Sequence, residues 1–143
     1  MADLTLSKAN TIITQALAKA AADGMKPLGV AVLDAGGHTI ASQRQDGTSF
    51  MRLDVASGKA YGALAVGAGS RSLNAAAQDR PHFVNALTAA SGGKIIPVPG
   101  GVLVRNAAGE IIGAVGISGD TSDNDEACAL AGIEAAGFTG DGG

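Results

Sequence analysis

Near the start of the chain, Leu6, Ala9, Ile12, Ile13, Ala16, Leu17 and Ala20 recur at helical spacing, with Lys8, Gln15 and Lys19 mostly opposite. This predicts an amphipathic helix capped by Thr5 or Ser7, ended by Gly24 and barred from continuing by Pro27. Leu28 to Asp34 is short, β-branched and apolar on both faces, the pattern of a strand covered on both sides. Ala35-Gly36-Gly37 suits a tight hairpin, and His38 to Gln45 returns as a second strand. Helical patterning resumes from about Ser49, a plausible cap, to Ala68. It contains Gly58 and Gly62 on one face, so another backbone is expected to pass close there, from the sheet or from a neighbouring subunit's helix.

Ser70 to Gln78 is ambiguous, with a short helix the best reading, and Asp79-Arg80-Pro81 opens a further helix running to about Ala90. Ile95 to Pro99 reads as an extended edge strand, because prolines alternate there with apolar residues. Gly101–Arg105 and Ile111–Ile117 form a second hairpin across residues 106–110. Ser122, read as a cap, starts a last helix to about Ala136, with Asp123, Asp125 and Glu126 at its positive end. A glycine-rich tail over about 139–143 is expected to be flexible. The order is helix, two strands, helices, three strands, helix. It makes one α/β (α+β) domain over residues 1–143, an antiparallel sheet with helices packed on it.

Composition narrows the core. Hydrophobic residues make up 46% of 143, yet there are one Tyr, three Phe and no Trp, against 22 Gly. Small side chains at short backbone distances therefore replace large aromatics. A net charge of −3 and scattered basic residues exclude a nucleic-acid footprint. No apolar run approaches the ~20 residues of a membrane helix, and Met1-Ala2-Asp3-Leu4 lacks a signal-peptide pattern. The chain reads as cytoplasmic, with secretion after removal of a leader as the alternative. Cys128, among Ala127, Ala129 and Leu130, reads as a buried helical thiol.

Candidate chemistry is sparse. Gly67-Ala68-Gly69-Ser70-Arg71-Ser72 lacks the third glycine of a dinucleotide loop and follows a helix. Gly116-Ile117-Ser118-Gly119-Asp120 misses the nucleophile elbow by one position. Asp123-Asn124-Asp125 with Glu134 mimics the ends of a calcium loop, but Cys128 stands where glycine is required. His38 and His82 cannot form a multi-histidine metal site, and no metal is expected. His82, beside Phe83, is the better haem-ligand candidate, with His38 next and Tyr61 able in principle. Arg44 and Lys59 are the cations suited to an anionic ligand, Lys59 because Gly58, Ala60 and Gly62 leave room around it. Gly100 and Gly101 offer backbone N–H groups to a carboxylate or phosphate.

Several of these segments resemble the GlcG/HbpS-like haem-degrading-domain family, related to the C-terminal domain of PduO-type proteins. The resemblance lies in Val30 to His38, Arg44-Gln45-Asp46-Gly47, Ala56 to Ala63 around Lys59, Pro99 to Val102, and Gly113 to Gly119 followed by Asp125 and Ala131-Gly132. It covers about residues 4–138 in the family's order. It implies a profilin-like fold, an antiparallel five-stranded sheet flanked by helices, and homo-oligomers from tetramer to octamer. Members are associated with haem binding or haem-linked redox sensing, with glycolate or diol metabolism, or with cobalamin-processing enzymes. Three functions follow as expectations. The first is a haem-binding protein with His82 or His38 as iron ligand. The second is a cofactor-independent enzyme or binder for a small carboxylate, held by Arg44, Lys59 and the Gly100 and Gly101 amides, with Asp125 or His82 handling a proton. The third is an accessory oligomer without chemistry of its own.

Overall fold

A computed structural model describes residues 3–143. The first helix, α1 (Leu6–Ala22), is capped by Thr5, whose hydroxyl accepts the Lys8 N–H at 3.2 Å. It buries Ala9, Ile12, Ile13, Ala16 and Ala20, the stripe its periodicity predicts. The strands β1 (Gly29–Asp34) and β2 (Thr39–Arg44) form the expected hairpin. Asp34 Oδ1 braces the turn by accepting the N–H groups of Gly36 and His38, at 2.9 and 3.0 Å.

Three helices follow: α2 (Met51–Val66), α3 (Ser70–Asp79) and α4 (Pro81–Ala90). The ambiguous stretch is thus the helix α3. Ser49 does not cap α2: the cap position falls to Phe50, with no side-chain bond, and the Ser49 carbonyl accepts the Arg52 N–H. Next come β3 (Gly101–Arg105), β4 (Ile111–Ser118) and α5 (Ser122–Ala135). Thr121 rather than Ser122 caps α5, its hydroxyl accepting the Asn124 N–H at 3.2 Å.

Two expectations are corrected at the sheet's edge. Residues 95–99 form no strand, and the glycine-rich tail supplies β5 (Thr139–Asp141), which pairs with β3. The sheet has five strands in the order β2-β1-β4-β3-β5, every pairing antiparallel. Its fifth strand comes after the last helix instead of before it.

Strand alternation sorts the two faces. Val30, Val32, Val102, Val104, Val115 and Ile117 meet α1 and α5 in the larger core, which also holds Cys128, Ile133 and Phe138. Each such aliphatic side chain contributes about 1.5–3 kcal/mol by leaving water. The other face carries Leu33, Leu103 and Ala114 against Ala60 and Ala63 of α2. Here the contact is closer. A Cβ on Gly116 would run into the Ala56 carbonyl, and one on Gly101 into the Lys59 carbonyl. The two glycines stand opposite each other in the β3–β4 register, so α2 lies with its backbone almost on the sheet.

Candidate functional site

Gly58 and Gly62 do admit a close neighbour, but it is neither the sheet nor another subunit. Gly58 faces Ile96 and the Lys94 carbonyl, while Gly62 faces Ile95 and Leu73 of α3. The segment after α4 crosses α2 here, tied by the Ile96 N–H to the Gly58 carbonyl at 3.2 Å. That crossing builds one wall of a groove of about 420 Å³, whose lining includes Leu33, Met51, Val55, Tyr61, Lys94 and Ile96. Gly37 and Thr39 of the hairpin close one side, and Asp54 adds a carboxylate. Tyr61 is wedged against Gly37, and the Lys94 ammonium sits 5.4 Å from its ring centroid. Phe50 and Met51, at the start of α2, are 78% and 62% exposed. The groove is thus mainly apolar, with a phenol on its wall, one cation and one anion.

The anion-binding set is not assembled as expected. Lys59 and Asp125 do come together, but buried, with side chains 3% and 1% exposed. The Lys59 ammonium donates to the Ile117 carbonyl at 2.8 Å and to Asp125 Oδ2 at 3.2 Å. Burial pulls Lys59 down from its ordinary value and pushes Asp125 up, while their mutual attraction opposes both shifts. Asp125 Oδ1 also accepts the Asp120 N–H at 3.0 Å. Gly100 and Gly101 adjoin the Lys59 side chain, but the Gly101 N–H already donates to the Ser70 hydroxyl at 2.7 Å. Lys59, Asp125 and Gly101 therefore satisfy one another and their neighbours inside the fold. Arg44 lies apart, exposed on β2, in a depression of about 510 Å³ beside Ala20, Ala21, Met25 and Asp46.

The histidines are also separate. His82 is exposed in the first turn of α4, next to Phe83, over whose ring Arg80 stacks at 4.4 Å. No hydrogen bond or ion pair joins it to Asp125 among the described residues. His38 is exposed at the hairpin turn, with Nδ1 3.4 Å from Asp34 Oδ1. The His38 N–H is the main reason that the Asp34 carboxyl sits below the usual range. Of the three residues considered as iron ligands, Tyr61 lines the groove. Met51, Asp54 and Lys94 escaped the sequence reading. The Gly58/Gly62 pair was the signal for their groove, because it marked where the crossing segment would press on α2.

The fold defines an α+β domain, a five-stranded antiparallel sheet between two helical layers, with a surface groove on the α2 side. The chain belongs to the family described as haem degrading protein HbpS-like, which matches residues 4–134. It is similar to a 15.0 kDa protein from the dhaT–dhaS intergenic region of Citrobacter freundii, 31% identical over 87% of this chain and 86% of that one. Among solved structures it resembles a double mutant of HbpS from Streptomyces reticuli, with a TM-score of 0.79 and 29% identity, covering 94% of this chain and 87% of that one. The PduOC–haem complex shares its fold, with a TM-score of 0.84 at 23% identity over 96% and 97% of the two chains. No helix among the described residues is long and apolar enough to cross a membrane.

Proposed function

We propose that the protein binds haem in the groove beside Tyr61. The observation that carries this reading is the groove itself, about 420 Å³ with apolar walls around a phenol and a cation, within the range of small-molecule sites. The family's description supports it, and a protein of the same fold is known with haem. The residues fit the group: Leu33, Met51, Val55 and Ile96 suit a flat apolar macrocycle, Tyr61 offers an oxygen to the iron, and Lys94 suits a carboxylate side arm. Bound haem supplies a redox-active iron. The protein's part is to hold it, exclude water from one face and present the Tyr61 oxygen. His38 and His82 are the imidazole alternatives to Tyr61. The same reading includes a single domain, self-association through exposed apolar residues such as Phe50 and Phe83, and a cytoplasmic setting.

Haemin titration followed by absorbance tests it. The expected result is a sharp Soret shift saturating at a fixed ratio per chain, and an altered spectrum in Tyr61→Phe. A spectrum that changes instead in His82→Ala or His38→Ala transfers the iron to that residue. Broad, unsaturable absorption removes the haem reading.

A small-carboxylate site is the second reading, and Arg44 favours it, because this exposed guanidinium has no carboxylate partner among the described residues. Small 2-hydroxy or 2-oxo acids should then raise the melting temperature of the wild type and leave Arg44→Ala unmoved. A flat response across the acids excludes it.

A further inference from the structure

We propose that Lys94 and Asp54 act as an orienting pair, so that the groove takes flat aromatic ring systems with carboxylates on one edge, and takes them that edge toward Lys94. This rests on reading the groove as a tetrapyrrole site, and it goes further in making the iron dispensable for recognition. Lys94 is held where such a contact needs it. Its N–H donates to the Ser91 hydroxyl at 3.2 Å, and two residues on, the Ile96 N–H is tied to α2. The ammonium rests over the Tyr61 ring and pairs with no carboxylate among the described residues. Lys59, Arg71 and Arg105 differ, since each already holds an acid. A cation over an aromatic face, unpaired at the rim of an apolar groove, is ready for an incoming anion.

Asp54 makes the choice of direction. It lies in the first turn of α2 and lines the same groove. Asp54 stands seven residues before Tyr61 on α2, about 10 Å of helix rise, and the Lys94 ammonium rests at the Tyr61 ring. A ligand with its carboxylates on one edge is therefore drawn to one end of the groove and repelled from the other. A ligand entering the other way meets repulsion at Asp54 and leaves Lys94 unused. The discrimination thus needs an unfavourable contact as well as a favourable one.

The test compares iron-free protoporphyrin IX with its dimethyl ester, by fluorescence titration, in wild type and variants. Lys94→Ala is expected to weaken the diacid about tenfold or more, in line with loss of one charge-assisted hydrogen bond, and to leave the ester unaffected. Asp54→Asn tightens the diacid, Lys94→Arg restores it, and Lys26→Ala, which removes the same charge from the loop after α1, changes neither ligand. The orienting pair is overturned if Lys94→Ala weakens diacid and ester equally, or weakens neither, while haemin still binds at a fixed ratio. If the wild type takes up neither haemin nor porphyrin saturably, the haem reading and the orienting pair fall together.

Discussion

Among single residues, Lys59 shows most clearly how a correct local reading can lead to a different role. Its neighbours Gly58, Ala60 and Gly62 do leave the room that the sequence suggests. That room is taken by Ile95, Ile96 and Leu73, and the Lys59 ammonium is held instead by Asp125, far away in sequence, which no helical pattern could supply. Removing one partner of a buried ion pair strands the other charge, typically at about 3–5 kcal/mol. Lys59→Met should therefore lose roughly 3 kcal/mol of unfolding free energy in denaturant titrations, and Asp125→Asn a similar amount. Because the two share one interaction, the double variant should lose less than the sum. A Lys59→Met protein as stable as the wild type would show that the pair contributes nothing. Tyr61 shows the converse: it was considered on chemistry alone, and its place in the groove came from the Gly37 turn and the crossing segment.

The helix α1 was legible because one apolar stripe sufficed to define it, the first hairpin because an apolar run meets a Gly-Gly turn, and α5 because a cap and acidic residues mark its start. The two misread segments failed for different reasons. Thr139-Gly140-Asp141 has no apolar alternation, and it becomes a strand because Phe138 is anchored in the core and β3 offers an open edge. Residues 95–99 carry apolar residues in alternation, but these pack on α2 through Gly58 and Gly62, not beside a strand. The start of α5 yields a pH dependence. Asp120 accepts the Asn124 side-chain amide at 2.7 Å and the Lys26 N–H at 3.0 Å, which together hold its carboxyl at about 2 against a usual 3.8. A depressed carboxylate favours the folded state above its unfolded value and loses that contribution as pH falls through the folded one. Stability should thus decline between about pH 4 and pH 2, with a shallower decline in Asp120→Asn. Superimposable acid limbs in the two proteins would dismiss the Asp120 contribution.

At the scale of the whole molecule, an antiparallel sheet with helices packed on it was readable from hairpin signals, and the five-stranded sheet flanked by helices followed from the family resemblance. The order of the edge strands was not, since local patterns carry no register between distant segments. The small-residue composition had a visible outcome: Gly101 and Gly116 let α2 settle onto the sheet, while valines and isoleucines fill the opposite layer. The candidate site was legible in its chemistry and not in its location. A groove made by one segment crossing another depends on where the chain returns, and only Gly58 and Gly62 hinted at that.

The central place of β4 bears on how the chain comes off the ribosome. β1 sits between β2 and β4, and Val30 lies opposite Ile117 across the whole middle of the sequence. The nascent α1 and hairpin therefore emerge with Ile12, Ile13, Val30 and Val32 covered only by one another, and their layer is completed when β3, β4 and α5 follow. Such a topology, dominated by distant pairings, folds slowly and leaves an apolar, open-edged fragment during synthesis. For this protein the interval between translating Val32 and translating Ile117 is the period in which a chaperone has most to protect.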